Sequence, residues 1–257
     1  REVFMVQLTA SDIDGTLLQG THELSQVLFW EVRRLKRNGI VFCAASGRRY
    51  ADLRRLFRPV ADDIAYVCEN GAIVYYQDQA IFRKGLPRET AEQIAAEIMS
   101  TPSCEVLISG ESAAYILPKE KNFLSEIQPF ISGTVLQTAS LADIHEDMLK
   151  VSAYCREGSK TCAREFEQRW GQKVNVAISG ECWLDFNTSD KGQGLSALCR
   201  VLEIPARDVM AFGDNYNDIP MMRWAGMPYL MKKGITPEQA GVKASVTERV
   251  EPVLQQL

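Results

Sequence analysis

The sequence contains little of what several common functional sites require. Only two histidines are present, His22 and His145, which argues against a histidine-rich metal site and leaves a Ser-His-Asp triad few ways to form. The seven cysteines are odd in number and include no Cys-x-x-Cys pair, so we expect reduced thiols and a cytoplasmic location. No stretch is apolar enough to span a bilayer, and residues 1–20 lack the basic start and apolar run of a signal peptide.

An excess of charge of one sign is also absent. The chain has 29 basic and 33 acidic side chains, a net charge of −4 and an isoelectric point near 5.4. This composition predicts no nucleic-acid partner and no membrane partner, although a local basic pocket for a small anion is still allowed. With 257 residues, 46% of them hydrophobic, the chain is long enough for one large domain or two modest ones. It predicts no particular oligomeric state.

Hydrophobic patterning predicts a doubly wound α/β core. Short apolar runs over 3–10, 40–45 and 64–68 are typical of buried strands, and residues 23–38 and 50–57 between them have helical patterns. Strands that alternate with helices at this spacing indicate a parallel sheet with crossover helices.

A different pattern begins near residue 72. A hairpin is predicted over 72–82, and residues 87–183 mix helices with strands. From residue 184 the first pattern returns, with a helix over 191–203 and strands over 209–212 and 227–231. We therefore predict a Rossmann-like parallel-sheet core in two parts, residues 1–82 and 186–257, interrupted by an inserted α+β cap domain over residues 83–185.

Polar residues that suit a metal and a phosphate follow the predicted core strands. Asp12 and Asp14 come directly after the first strand, where alternation along an extended chain points both side chains the same way. The other candidates follow the second strand, open the helix after the insertion, or follow the strand over 209–212: Ser46, Gly47, Lys191, Asp214 and Asp218. Open parallel sheets bind ligands beyond the carboxyl ends of their strands. Four carboxylates without histidine or thiolate favour Mg²⁺ over Zn²⁺, so the pattern predicts a Mg²⁺ and phosphate site.

Four segments stand in order along the chain: Asp12-x-Asp14-Gly15-Thr16-Leu17, Ser46-Gly47-Arg48, Lys191-Gly192 and Gly213-Asp214-x-x-Asn217-Asp218. They resemble the four motifs of the haloacid dehalogenase (HAD) superfamily of phosphohydrolases. The large insertion, with Asn70-Gly71-Ala72 before it, resembles the Cof-type branch with a type IIB cap. Cof-type chains usually have a Met-Gly-Asn-like stretch after the fourth motif, where this chain has Tyr229-Leu230-Met231-Lys232-Lys233-Gly234. Lys232 and Lys233 are either extra anion contacts or a solvated strand end.

The resemblance implies a role for each motif residue. Asp12 is the expected nucleophile, which forms an aspartyl-phosphate, and Asp14 the expected acid and base. Mg²⁺ is expected on the side chains of Asp12 and Asp214 and the backbone carbonyl of Asp14, with Asp218 either a ligand through water or a partner of Lys191. The transferring phosphoryl group is expected to contact Ser46, the Gly47 amide, Asn217 and Lys191. Arg48 either reaches the substrate or braces the site, and the second role is the one expected.

The function that this resemblance implies is Mg²⁺-dependent hydrolysis of a small phosphorylated metabolite, such as a sugar phosphate or a related phosphomonoester. Two alternatives stay open. A phosphomutase or phosphotransferase acting on hexose phosphates can be built from the same motifs. A non-catalytic phospholigand-binding protein is disfavoured, because none of the motif carboxylates, Ser46 or Lys191 has been lost.

Overall fold

The structure is a computed structural model that describes residues 5–20 and 22–257. Val3 and Phe4 of the first predicted strand lie outside the described residues. The strands are β1 Leu8–Ser11, β2 Val41–Ala45, β3 Ala65–Cys68, β4 Ile73–Tyr76, β5 Gln79–Arg83, β6 Cys104–Ser109, β7 Ala114–Ile116, β8 Val135–Gln137, β9 Lys150–Cys155, β10 Asn175–Ile178, β11 Trp183–Asn187, β12 Val209–Gly213, β13 Met227–Met231 and β14 Ser245–Thr247. The α-helices are α1 Gln26–Arg37, α2 Tyr50–Leu56, α3 Arg88–Ser100, α4 Phe123–Ile127, α5 Ser159–Trp170, α6 Lys191–Val201, α7 Ile219–Trp224, α8 Pro237–Ala240 and α9 Glu251–Leu254.

The chain divides into two compact units, one of residues 1–82 and 190–257 and one of residues 83–189. The first unit contains an eight-stranded sheet with the order β14-β13-β12-β1-β2-β3-β4-β5. Strands β14 to β3 of that order pair in parallel, and β4 returns antiparallel to β3. The predicted α/β core with a parallel sheet is therefore confirmed.

Strand β1 lies in the middle of this sheet, which determines where the polar residues after it are placed. Ser11, the last residue of β1, is in register with Ala44 of β2 and Phe212 of β12. The three strands run in the same direction, so the residues that follow them meet at one edge of the sheet. On one face of the sheet, apolar side chains of β1, β2 and β12 pack with residues of α6 and α7 such as Leu195, Leu198 and Met221.

The second unit is an α+β layer. Its six-stranded sheet has the order β10-β11-β9-β6-β7-β8. Alternate residues of β6, among them Val106 and Ile108, pack with apolar residues of α3 and α5. Leu107 on the opposite face packs with Phe123 and Ile127 of α4.

The second boundary of the insertion lies four residues later than the sequence predicts. The prediction ends the inserted domain at residue 185, whereas the inserted unit extends to Ser189. The reason is β11, which pairs antiparallel with both β9 and β10 and so belongs entirely to the inserted sheet. Across residues 5–20 and 22–257, no helix combines the length and the hydropathy that a membrane span requires.

Candidate active site

The predicted site residues meet at the carboxyl edge of β1, β2 and β12. The centre of the site is the ammonium of Lys191, at the first residue of α6, which is completely buried. Its Nζ lies 2.5 Å from Oδ1 of Asp12 and 2.7 Å from Oδ1 of Asp218. These two contacts connect three of the four sequence motifs.

Both carboxylate oxygens of Asp218 accept hydrogen bonds. While Oδ1 accepts from Lys191, Oδ2 accepts hydrogen bonds from the backbone amides of Asp214 and Asn215, at 3.0 and 3.1 Å. The residue is completely buried, so this carboxylate fixes both the loop after β12 and the ammonium of Lys191. Of the two roles that the resemblance implies for Asp218, the structure contains the partnership with Lys191.

The site carries more buried negative than positive charge. One oxygen each of Asp12, Asp214 and Asp218 lie within 4.8 Å of one another, and Lys191 is the ammonium that contacts two of them. Burial and the neighbouring charge of Asp218 raise the pKa of both Asp12 and Asp214. Burial alone would lower the pKa of Lys191, but Asp12 and Asp218 outweigh it and hold that pKa above its ordinary value.

Asp12 also presents an oxygen that nothing else uses. Its Oδ2 is buried and has no hydrogen-bond partner among the described residues. A buried acceptor without a partner costs about 1–3 kcal/mol, more when it is charged. An unpartnered oxygen among three carboxylates fits an oxygen-liganded divalent cation, which would supply the missing positive charge.

Two glycines and a threonine position Asp214. Gly15, at a φ of +91°, follows Asp14, and a Cβ built on it would lie 2.2 Å from Oδ2 of Asp214. A Cβ on Gly234 would lie 2.3 Å from the carbonyl oxygen of Asp214. Thr16 adds a hydrogen bond from Oγ1 to Oδ1 of Asp214, at 3.1 Å. The carboxylate is therefore positioned by close approach as well as by hydrogen bonding.

Asp14 has a different environment from the buried cluster. Its side chain is 57% exposed. Arg48 donates two hydrogen bonds to its carboxylate, from Nη2 to Oδ1 at 2.6 Å and from Nε to Oδ2 at 2.9 Å. Arg48 thus braces a site residue, as the sequence suggested. The side chain of Asp14 does not join the three clustered carboxylates. The metal contact predicted for this residue concerns its backbone carbonyl and stays a prediction.

The predicted phosphate ligands lie around the end of β2. Ser46 is buried, and its Oγ accepts from the amide of Arg48 at 3.2 Å. Next to it, a Cβ on Gly47 would come within 3.0 Å of the Asn70 side chain. The Asn217 amide donates to Oδ1 of Asn70 at 3.4 Å, which connects the loop after β12 with the turn after β3.

The sequence alone predicts no role for several of these neighbours. Asn70 is notable there only as a residue that precedes the insertion, and Thr16 and Gly234 have no predicted role. The available signal for Thr16 is its place within the first motif, whereas the contact of Gly234 depends on loop geometry. Lys232 pairs with Glu248 at 2.5 Å and both side chains are mostly exposed, which agrees with a solvated strand end.

A doubly wound sheet with polar residues gathered at its carboxyl edge is the architecture of an α/β enzyme, in which ligands bind beyond the strand ends. A model of the haloacid dehalogenase-like hydrolases matches residues 9–248, so the chain belongs to this family. The resemblance seen in the sequence is confirmed.

Individual relatives agree with this assignment. The chain is 24% identical to the 5-amino-6-(5-phospho-D-ribitylamino)uracil phosphatase YbjI of Escherichia coli over 93% of this chain and 89% of that one. Its fold is similar to TM0651 of Thermotoga maritima, with a TM-score of 0.82, 21% identity and 98% of both chains covered. The HAD subclass IIB sugar phosphatase BT4131 has a TM-score of 0.79 at 18% identity, again over 98% of both chains. The family and these phosphatase relatives support a phosphoric monoester hydrolase.

Proposed function

We propose that the protein is a Mg²⁺-dependent phosphatase that hydrolyses small phosphorylated metabolites through an aspartyl-phosphate on Asp12. The observation that carries the proposal is the buried carboxylate of Asp12. One of its oxygens lies against the ammonium of Lys191, and the other has no hydrogen-bond partner among the described residues. A carboxylate so placed is a positioned nucleophile.

The metal in this proposal would be held by Asp12 and Asp214, with the Asp14 carbonyl as a further ligand and Asp218 orienting the cluster. Bound Mg²⁺ supplies positive charge that offsets repulsion between the carboxylates and a phosphate dianion. All the proposed ligands are oxygen atoms, which Mg²⁺ prefers.

In the first step, Asp12 attacks the phosphorus atom and an O–P bond to its carboxylate forms. The bond between phosphorus and the substrate oxygen breaks, and Asp14 gives that oxygen a proton. In the second step, Asp14 takes a proton from water, and the water oxygen attacks phosphorus. The bond to Asp12 then breaks, which releases inorganic phosphate and restores both side chains.

The other motif positions would bind the transferring group. The ammonium of Lys191, the hydroxyl of Ser46, the amide of Gly47 and the side chain of Asn217 supply donors to the phosphoryl oxygens. Because Lys191 is held by two carboxylates before any substrate binds, its charge needs no reorganisation during the reaction.

The substrate class follows from the acid and from the relatives. The side chain of Asp14 is exposed, so the leaving group of a phosphate ester can reach it. YbjI is named for a phosphorylated ribitylamino-uracil and BT4131 is called a sugar phosphatase. Small phosphomonoesters of metabolites are the class that these names share.

The test is phosphate release from a panel of phosphorylated metabolites, with Mg²⁺ and with a chelator. Release that needs Mg²⁺ and is absent in Asp12→Asn is the expected result. Interconversion of hexose phosphates without phosphate release would instead identify a mutase. If a folded protein that binds Mg²⁺ released phosphate from no compound, the proposal would be wrong and a phospholigand-binding role would replace it.

A further inference from the structure

The inserted unit contains a second cluster of potential metal ligands, none of which belongs to the four sequence motifs. Cys104 on β6, Cys155 on β9 and Cys162 on α5 have sulfur atoms that all lie within 4.8 Å of one another. The Sγ atoms of Cys104 and Cys155 are 3.6 Å apart. No other three cysteines in the described part of the chain bring their sulfur atoms so close together.

The fold brings these thiols together by strand register. Cys104 and Cys155 are directly opposite each other in the antiparallel pair β6 and β9. The hydrogen bond between these strands is made one position along, from the amide of Arg156 to the carbonyl of Ser103, whereas the amide of Cys155 donates to Cys182. Cys104 and Cys155 are therefore a non-hydrogen-bonded pair, the arrangement in which opposite side chains are closer. Cys162, in the first turns of α5, completes the group.

Burial alone does not account for this arrangement. Buried thiols commonly act as small apolar side chains, and Cys104 and Cys155 do lie within an apolar cluster. That role requires no convergence of three sulfur atoms. Cys162 is only partly buried, unlike Cys104 and Cys155.

We propose that Cys104, Cys155 and Cys162 bind one soft, thiophilic metal ion of the Zn²⁺ and Cu⁺ class. With metal–sulfur bonds of about 2.3 Å, three sulfur ligands of one ion lie roughly 3.8–4.0 Å apart. The 3.6 Å separation of Cys104 and Cys155 is close to that spacing. Binding displaces the thiol protons to solvent and changes no oxidation state. Soft thiolates select these ions, whereas the carboxylate cluster of the other unit suits a hard ion.

The experiment titrates the full-length, reduced, Mg²⁺-free protein with Cd²⁺ as a spectroscopic substitute for Zn²⁺, and separately with Cu⁺. Ultraviolet thiolate-to-metal charge-transfer absorption reports binding to sulfur and is silent for a metal on carboxylates. We expect saturation at one ion per chain. Competition of each ion with a chelator gives its affinity for the protein, and the ion with the higher affinity is the preferred one.

The decisive variant is Cys162→Ser, with Cys182→Ser as its matched control. Both cysteines are partly buried in the same unit, and Cys182 lies outside the cluster. We expect Cys162→Ser to lose at least about 100-fold in affinity, since removal of a supporting residue around a metal site alone costs 10–100-fold. Cys182→Ser should bind as the wild type does, and circular dichroism checks that both variants are folded.

Two results would overturn the proposal. One is equal charge-transfer absorption in Cys162→Ser and Cys182→Ser. The other is the absence of this absorption in the wild type.

Discussion

Each unit of the protein buries a lysine beside carboxylate groups, but the carboxylate oxygens at the two sites differ in their hydrogen-bond partners. In the inserted unit, Lys150 pairs with Oδ2 of Asp185 at 3.0 Å, and Ser152 donates to the other oxygen at 2.7 Å. In the core unit, Lys191 faces two carboxylates directly and a third, Asp214, lies beside them.

The two sites differ in whether each carboxylate oxygen has a donor. At Lys150, both oxygens of Asp185 have donors. Around Lys191 the carboxylates exceed the ammonium, and Oδ2 of Asp12 has no partner among the described residues. Folding alone gives no reason to bury uncompensated charge, because its desolvation is costly. The imbalance is therefore an argument for the proposed cation at this site.

The largest expected effect comes from removing one carboxylate in each place. Asp12→Asn should lower phosphatase turnover by about 10⁴-fold or more, since it removes the nucleophile. Asp185→Asn should leave turnover of the folded protein close to the wild type but lower the free energy of unfolding by about 3–5 kcal/mol, because it breaks the buried ion pair with Lys150. Asp12→Asn should destabilise less, as it relieves repulsion among carboxylates.

Turnover and urea unfolding of both variants check this prediction. A large loss of turnover in Asp185→Asn, without unfolding, would mean that the pair of the inserted unit is not merely structural. Wild-type turnover in Asp12→Asn would remove the nucleophile from Asp12.

Asp14 resembles Asp185 in that a basic side chain, that of Arg48, contacts its carboxylate, yet Asp14 is the proposed acid and base. The two aspartates differ in exposure. Because the pair of Asp14 and Arg48 is accessible to solvent, a substrate can displace Arg48 from Asp14. Asp14→Asn should slow the hydrolysis of esters with poor leaving groups roughly 10²-fold and affect activated aryl phosphates much less. Equal losses for both classes of ester in steady-state assays would exclude Asp14 as the acid.

The charge imbalance itself can be titrated with metal. Mg²⁺ at about 100 times its Kd should raise the free energy of unfolding by about 2.7 kcal/mol through binding to the folded state alone. Asp214→Asn should abolish this stabilisation, whereas Asp185→Asn should keep it on a lower baseline. Thermal unfolding with Mg²⁺ and with a chelator gives the measurement. Stabilisation that persists in Asp214→Asn would place the cation elsewhere.

The same comparison explains how far the sequence could predict this protein. Strand ends and motif spacing were enough to bring Asp12, Ser46, Lys191 and Asp214 to one edge, because parallel strands allow few alternatives. The helical pattern over 23–38 predicts α1, but the helix begins only at Gln26, because Ser25 caps it by accepting from the amide of Leu28.

What sequence could not predict depends on contacts between distant residues. Strand β11 was not predicted, because its Asp185 is acceptable inside a sheet only once Lys150 and Ser152 pair with it. Loop geometry likewise determines the ion pair of Arg48 with Asp14 and the close approach of Gly234 to Asp214. Hydrophobic periodicity is a property of one segment, whereas these interactions join segments that are far apart in the chain.

The smallest expected effect concerns a carboxylate with the opposite electrostatic environment from Asp12. Burial would raise the pKa of Glu146 in the inserted unit, but hydrogen bonds from Tyr115 and from the hydroxyl and amide of Ser112 outweigh it, so the pKa is lowered. A lowered pKa stabilises the fold above the ordinary glutamate value of about 4.3, and that stability is lost as the pH falls through the folded-state pKa. Glu146→Gln should therefore be less stable than the wild type at neutral pH, by under about 1 kcal/mol because the group is partly exposed. Urea unfolding from pH 7 down to pH 3 should show this gap closing, whereas a gap that widens toward low pH would mean that the neutral acid, rather than the carboxylate, is the form these donors stabilise.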